Sequence, residues 1–501
     1  MKNARTFGTR LFAAFFVLAL MLPQAGRAAN PLPVIMPTPV PTPTPNSSPL
    51  QYPAYGSPAP DVERLVPKAG VPPVVNLNQA EKIAVALSPV FAADNAQWAA
   101  IHAKYTSTIQ QLYPGISAAG TLTKNYPQLG SSSSASPGAS PGVTANGEYL
   151  SEGGEVVLQQ LIFDGGRVIA AIRSSKEADI AGRGTLLRDL ETLQINVASA
   201  YYAVLQDNAT VTADVQLVRE FEVNEDSVRA QIRNGAAARS DLAGAQFQTA
   251  QARGELVTAQ GAAIGAQAAF ATTLGLDADV AILPQQIGEE PSAPNPTYAA
   301  SLKRALLLRP DYLAAQYNVY SGQDNLRYAK LARFPLLTGN ASYGASRTSY
   351  AYPETLENNP SFSPIDGYRN DRSIGLSLSV PLYDQGTTNY NVAYAASQLD
   401  QARAGLVETK LTVESDVRSA LANLISARAN LVQAKAEQQA AQVSLDATQA
   451  QYKVGATTIL NLVTAEANLS TAVAGYIAAL YGVRTAYQNY LYATGASDLQ
   501  L

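Results

Sequence analysis

Residues 232–249 read IRNGAAARSDLAGAQFQT, and residues 452–469 read YKVGATTILNLVTAEANL. The two stretches match at several positions with an offset of 220 residues, among them Gly235 against Gly455. Neither contains an obvious catalytic residue. A glycine after a long helical pattern supplies the left-handed backbone angles with which helices commonly end. We therefore predict that each stretch is the tip of a helical hairpin, where one long helix reverses into another.

The correspondence extends well beyond the tips, at an offset of 220 or 221 residues. A Phe-Asp-x-Gly motif at 163–166 returns as Tyr-Asp-x-Gly at 383–386. Further matched pairs are Lys82 and Lys303, Pro89 and Pro310, Pro114 and Pro335, Val197 and Val417, and Gly275 and Gly495. Chance agreement of one motif would not keep register through the others. The sequence therefore indicates a tandem duplication.

Each half has the same predicted order of elements. An Ala-rich helical stretch comes first and ends at a proline, which lacks the N–H needed to continue a helix. Apolar and polar residues then alternate with a period of two, which predicts two strands per half, separated by a polar loop. The helical stretches are about 76–112 and 297–333, the strands 116–123, about 149–162, 337–346 and 374–380, and the loops 130–142 and 351–370.

A very long helix is predicted after each strand pair, from about Gly166 to Arg233 and from about Thr388 to Lys453. At 1.5 Å per residue, each would be about 100 Å long. In the first, apolar residues recur at steps of three, four or seven, which is a heptad-type seam. The seam residues are Leu186, Leu190, Leu193, Val197, Tyr201, Val204, Val211, Val215 and Val218. A second helix then returns from each tip.

The composition excludes several classes of function. The 501 residues include no Cys and one His, which excludes thiolate sites and leaves little scope for zinc ligation or a Ser-His-Asp arrangement. We interpret His102, in an Ala-rich helical stretch, as a surface or packing residue. Acidic residues (39) outnumber basic ones (35), and no basic run appears. We predict no enzyme activity, no cofactor, no metal and no nucleic-acid binding.

The N-terminus indicates export. Residues 1–28 combine a basic start, an apolar run and small residues before a cleavage position, the pattern of a secretory signal peptide. Residues 29–74 are Pro-rich and favour an extended segment, either a semi-rigid tether or a disordered tail. The remaining sequence lacks the apolar run of roughly 20 residues that a membrane-spanning helix needs. The exported chain is therefore either soluble or enters a membrane as strands.

The small number of strands implies an assembly. Four strands cannot close a barrel, and an open sheet edge is not viable in lipid. Yet small and apolar residues on one face with polar residues on the other are typical of strands between lipid and a watery lumen. Several chains that pool their strands would close a ring.

The duplicated halves, the junction LQQLIFDGG at 158–166, the tip glycines and the closing Leu274-Gly275 together resemble the outer-membrane efflux protein family of TolC-like channels. The resemblance implies a mainly α fold with a small β part. In a trimer, a 12-strand transmembrane β-barrel would continue into a long periplasmic α-helical barrel. It also implies two efflux-protein repeats, at 75–290 and 291–495, and a short C-terminal tail at 496–501.

The resemblance also implies a function. Such proteins are exit ducts of tripartite efflux or type I secretion systems in the outer membrane of Gram-negative-type bacteria. The expected partners are two further copies of the chain in a homotrimer, a periplasmic adaptor, an inner-membrane pump and outer-membrane lipid. The alternative is a secreted structural coiled-coil stalk or a periplasmic adaptor protein, which the two alternating strand pairs disfavour. The sequence specifies neither the cargo nor the energy source.

Residues near the tips match the family's periplasmic gate. One link between hairpins falls at Asp241 and Tyr452, which could form a charge-assisted carboxylate–phenol hydrogen bond; otherwise Asp241 caps a helix and Tyr452 packs. The arginine that the family has near the second tip corresponds to Thr457. The two inward-facing aspartates that ring the family's channel entrance correspond to Asn461 and Thr464. Because both carboxylates are missing, we do not expect the entrance, or mouth, of the channel to be strongly cation-selective. The adaptor is expected to dock at the hairpin tips, which are Gly235, Ala236, Gly455 and Ala456.

Overall fold

A computed structural model describes residues 73–126, 149–235, 238–286, 296–350 and 368–496. The predicted signal peptide lies outside these ranges, as do nearly all of the Pro-rich segment and of the C-terminal tail. The loop predicted at 130–142, most of the loop predicted at 351–370 and the tip residue Ala236 also lie outside them.

The described residues are mainly helical, and their helices occur twice in the same order. In each half, two shorter helices precede the strand pair, and a helix of 67 residues and a returning helix follow it. The first half contains α1 (Leu77–Leu87), α2 (Pro89–Gln110), α3 (Arg167–Arg233) and α4 (Arg239–Thr273), and the second half contains α5 (Tyr298–Leu308), α6 (Pro310–Leu331), α7 (Thr387–Lys453) and α8 (Ile459–Thr494). The predicted duplicated, mainly α fold is confirmed.

The helical stretches predicted as continuous at 76–112 and 297–333 are each two helices. The breaks fall before Pro89 and Pro310, where Ser88 and Arg309 both have the extended conformation φ −64°, ψ 120°. The ring of a proline disfavours the α conformation in the residue before it, so the first helix ends there. The proline then begins the next helix, because its missing N–H is not needed in the first turn.

The strands are β1 (Val74–Val75), β2 (Gly115–Asn125), β3 (Tyr149–Phe163), β4 (Leu283–Pro284), β5 (Leu336–Tyr350) and β6 (Arg369–Ser379). The four predicted strands form one antiparallel sheet in the order β2-β3-β5-β6. A separate parallel pair, β1 with β4, joins the start of the described chain to the segment after α4. Strand β2 lies at one edge of the four-stranded sheet and β6 at the other.

The strand register gives the sheet an apolar face and a polar face. Residues paired across antiparallel strands lie on the same face. One continuous row is Ile116, Leu158, Ala341 and Ile374, and the next row is Ser117, Val157, Ser342 and Ser373. We call the side of the first row the apolar face and the side of the second the polar face. Ile374 is 92% exposed in the protomer, so no part of the chain that the structure describes covers the apolar face there.

Each long helix begins at a capped junction with the sheet. The carboxylate of Asp164 accepts hydrogen bonds from the backbone N–H of Gly166 and of Val168. Asp384 does the same for Gly386 and Thr388. Both glycines have left-handed φ angles, 87° and 85°. The repeated Asp-x-Gly motif is therefore a helix cap.

The predicted heptad seam of α3 packs as expected. Six of its residues are buried, and Leu193, Val211 and Val215 are half-buried; the buried ones are Leu186, Leu190, Val197, Tyr201, Val204 and Val218. At its centre, Tyr201 packs edge-on against Phe270 of α4. His102 lies at the surface and contacts Asp179 of α3 at 3.2 Å.

None of the described helices combines the length and the apolar composition required to cross a membrane.

Candidate functional site

The two hairpin tips have the same backbone geometry. Gly235 and Gly455 both have φ 74°. The N–H of Gly455 donates to the carbonyl of Tyr452 at 3.0 Å, and that of Ala456 donates to the carbonyl of Gln451 at 2.9 Å. This pair of bonds is a Schellman motif, which satisfies carbonyls at the end of a helix and requires a left-handed residue. The prediction that these glycines end the long helices is confirmed.

At the first tip, Asp241 acts as a cap for its own helix. Its carboxylate accepts hydrogen bonds from the N–H of Ala238 at 3.1 Å and from the hydroxyl of Ser240 at 3.4 Å. An acidic side chain in the first turn is also favoured by the helix dipole. The carboxylate is therefore engaged locally, in the first half of the chain.

At the second tip, the ring of Tyr452 packs against a cluster of Leu445, Leu462, Ala465 and Leu469 between α7 and α8. Its hydroxyl is buried, and no described residue forms a hydrogen bond with it. The carboxylate–phenol hydrogen bond predicted between Asp241 and Tyr452 is thus not formed in the protomer. Burial, together with the negative charge of Asp241, raises the pKa of Tyr452, so the two side chains remain within electrostatic reach.

The positions predicted to line the channel mouth, Thr457, Asn461 and Thr464, carry short neutral side chains. The amide of Asn461 donates to the hydroxyl of Thr457 at 2.9 Å, and the hydroxyl of Thr464 donates to the carbonyl of Leu460 at 2.8 Å. Asn461 and Thr464 are exposed near the start of α8. They bring uncharged amide and hydroxyl groups to the surface next to the tip.

Glu466 is a residue that the sequence reasoning missed. It lies further along α8, is 4% exposed, and accepts a hydrogen bond from the amide of Asn224 of α3 at 3.2 Å. Its second carboxylate oxygen has no hydrogen-bond partner in the described part of the chain. Burial, followed by the charge of Glu220, raises the pKa of Glu466 to about 7. The sequence signal that could have found Glu466 is the repeat alignment, in which this charged residue corresponds to the uncharged Gln246.

A second missed group lies within the second half, far from the tips. Arg309 is 3% exposed. It donates to Asp311 at 2.6 Å, to Asp416 of α7 at 2.9 Å and to the carbonyl of Ala493 of α8 at 3.4 Å. A buried guanidinium needs such partners because desolvation is costly. The network ties α6, α7 and α8 together.

A model of the outer membrane efflux protein family matches residues 82–276 and 301–496. The chain belongs to the outer membrane efflux protein family. The chain is 26% identical over 340 residues to the outer membrane efflux protein BepC of Brucella suis, covering 68% of this chain and 71% of BepC. It is 27% identical over 336 residues to the outer membrane protein TolC of Escherichia coli, covering 63% of each.

The fold agrees with solved structures of such channels. The CmeC outer membrane channel of Campylobacter jejuni aligns with a TM-score of 0.68 at 16% identity, over 86% of this chain and 94% of CmeC. Family members are outer-membrane channels rather than enzymes. The predicted outer-membrane location and efflux function are confirmed, and the alternative of a structural stalk or an adaptor is wrong.

Proposed function

We propose that three copies of the chain form one conduit, the exit duct of a tripartite efflux or type I secretion system. The single observation that carries this proposal is a four-stranded sheet joined to two 67-residue helices; among the described residues, its two edges are unpaired and its apolar face is uncovered. Unpaired backbone groups cannot stay exposed to lipid. Edge pairing between β6 of one copy and β2 of the next would close a barrel of about twelve strands.

The long helices would enclose the periplasmic part of the duct. Each is about 100 Å long at 1.5 Å per residue. The proposed repeats at 75–290 and 291–495 each contribute one long hairpin to this wall. The hairpin tips, around Gly235-Ala236 and Gly455-Ala456, would be the docking points of a periplasmic adaptor, which in turn would connect the duct to an inner-membrane pump.

The gate would lie at the same end of the duct. Asp241, Tyr452, Thr457, Asn461 and Thr464 would surround the entrance. Packing of the hairpins would hold it closed, together with a contact between Asp241 and Tyr452 across the two halves that would form in the assembled trimer. Because Asn461 and Thr464 carry no charge, the mouth would discriminate weakly between cations and anions.

The conduit is tested with the purified full chain. We expect a trimer by light scattering in detergent, and stable conductance steps in planar phosphatidylcholine bilayers. A stable monomer without conductance would refute the proposal.

The mouth is tested with the double variant Asn461→Asp, Thr464→Asp. Reversal potentials in a salt gradient should then shift toward cation preference, whereas Asn461→Gln should leave them unchanged. Strong cation preference in the unsubstituted channel would contradict the proposed gate.

A further inference from the structure

The charged residues of the described strands are confined to the end of the sheet near the polar loops. The uncharged stretch of β5 runs from Leu336 to Ser346. In β5 alone this length of about 11 residues matches the 9–11 residues with which a tilted strand crosses a bilayer core, although β6 places Arg372 and Asp371 opposite Tyr343 and Gly344, near the end of that stretch. The charged positions lie level with Tyr343 or beyond it; they are Lys124, Glu152, Glu155, Arg347, Arg369, Asp371 and Arg372.

These charges are divided unequally between the two faces. The register places Lys124, Glu152, Arg347 and Arg372 on the apolar face. The polar face carries Glu155, Arg369 and Asp371. The apolar face therefore has three cations and one anion at this level, whereas the polar face has one cation and two anions. The positive charge is on the side where a membrane channel meets lipid.

The arginines on the apolar face are held against tyrosine rings. The guanidinium of Arg372 lies 5.3 Å from the ring centre of Tyr343, and that of Arg347 lies 5.7 Å from the ring centre of Tyr368. The hydroxyl of Tyr368 donates to Glu152 at 3.0 Å, and Arg347 lies 3.6 Å from the same carboxylate oxygen. We call these four residues, Tyr343, Arg347, Tyr368 and Arg372, the arginine–tyrosine belt.

We propose that the arginine–tyrosine belt, with Lys124, binds the phosphate-bearing headgroup of an anionic lipid in the outer leaflet. Guanidinium groups bind phosphate oxygens in bidentate geometry. Tyrosine is suited to the boundary between acyl chains and headgroups, because its ring is apolar and its hydroxyl is polar. The adjacent uncharged band would contact the acyl chains of the same lipid, which a soluble phosphate ion lacks. This inference rests on the proposed orientation of the channel in the outer membrane.

The experiment uses the full-length channel in nanodiscs of phosphatidylcholine, with and without diphosphoryl lipid A as the probe. Native mass spectrometry counts the retained lipid A molecules. We expect the double variant Arg347→Gln, Arg372→Gln to retain at least fivefold less lipid A than the unsubstituted channel. The matched control is Arg369→Gln, which removes an arginine from the polar face of β6, the strand of Arg372, and should change retention less than twofold.

Equal retention by the double variant, or an equal loss in Arg369→Gln, would overturn the inference. So would a thermal stabilisation by inorganic phosphate as large as that by lipid A, because the site would then recognise the ion rather than the lipid. Conductance of the unsubstituted channel in pure phosphatidylcholine separates the two proposals. If it conducts but does not retain lipid A, the lipid site alone is refuted, whereas an unsubstituted chain that neither inserts nor conducts refutes both. Retention is compared only among variants that conduct.

Discussion

The two halves of the chain have one backbone plan and different polar contacts. Their helices before the sheet have 11 and 22 residues in both halves, and their long helices have 67. Where the repeats share prolines, glycines and seam residues, the backbone repeats. Where the second repeat has Arg309, Tyr452 and Glu466, the first has Ser88, Ile232 and Gln246. The shared residues determine the fold, and the residues that differ between the repeats mark the polar contacts that are not repeated.

The largest difference is at the break between the two shorter helices. In the first half, the hydroxyl of Ser88 accepts a hydrogen bond from the N–H of Phe91 at 3.4 Å. In the second half, Arg309 occupies the same place and pairs with Asp311 and Asp416. A serine cap acts within one helix, whereas the arginine connects three helices.

We expect Arg309→Met to lower the free energy of unfolding by about 3 kcal/mol, because it removes the buried guanidinium that pairs with Asp311 and Asp416 and leaves Asp311 the longer contact with Arg188, at 3.8 Å. Ser88→Ala should cost about 1 kcal/mol or less, the usual effect of losing a cap. Guanidinium denaturation of the detergent-solubilised channel, followed by circular dichroism, measures both. Equal losses in the two variants would show that the arginine connects its three helices no more strongly than the serine caps one.

The next difference concerns pH. The folded state raises the pKa of Glu466 from 4.5 to about 7, so it binds this proton more tightly than the unfolded state does. The resulting stability is present below pH 4.5, falls as the pH rises, and is lost above about pH 7. Glu220 of α3 faces Glu466, and Asp446 of α7 in turn faces Glu220. Burial and the negative charge of Glu220 both oppose ionisation of Glu466.

We therefore expect Glu466→Gln to match the unsubstituted channel near pH 5 and to exceed it near pH 8. The gain should be on the order of 2–3 kcal/mol, because one pKa unit corresponds to about 1.4 kcal/mol. Melting temperatures across this pH range test the prediction. Gln246→Glu is the matched control, since Gln246 is exposed and its substitution should change little. A pH profile that is the same for Glu466→Gln and the unsubstituted channel would contradict the prediction.

The sequence predicted the features that depend on local pattern. Alternation predicted the four strands of the main sheet, the seam predicted α3, and the glycines predicted both tips with their left-handed angles. The helix breaks at Pro89 and Pro310 were missed because the pattern on both sides is helical. The contacts of Arg309 with Asp416 and of Glu466 with Asn224 were missed because the partners come from helices distant in sequence, and such contacts depend on packing.

The hydrogen bond between Asp241 and Tyr452 illustrates the same limit. Both residue types were identified correctly, yet Asp241 satisfies a neighbouring N–H and Tyr452 packs within its own hairpin. Residue identity fixes which hydrogen bonds are chemically possible. Which of them forms depends on local competition for the same carboxylate.

The smallest expected effect is at this tip. Because the buried hydroxyl of Tyr452 has no partner among the described residues, Tyr452→Phe removes an unsatisfied polar group and should change the free energy of unfolding by no more than about 1 kcal/mol, in the stabilising direction. Single-channel conductance should stay unchanged, because the ring still packs against Leu462. Asp241→Asn is the companion variant, and it should weaken only the cap of α4. If Tyr452→Phe instead destabilises the channel and opens it, the hydroxyl is a latch in the assembled trimer, and the second tip differs from the first in function as well as in sequence.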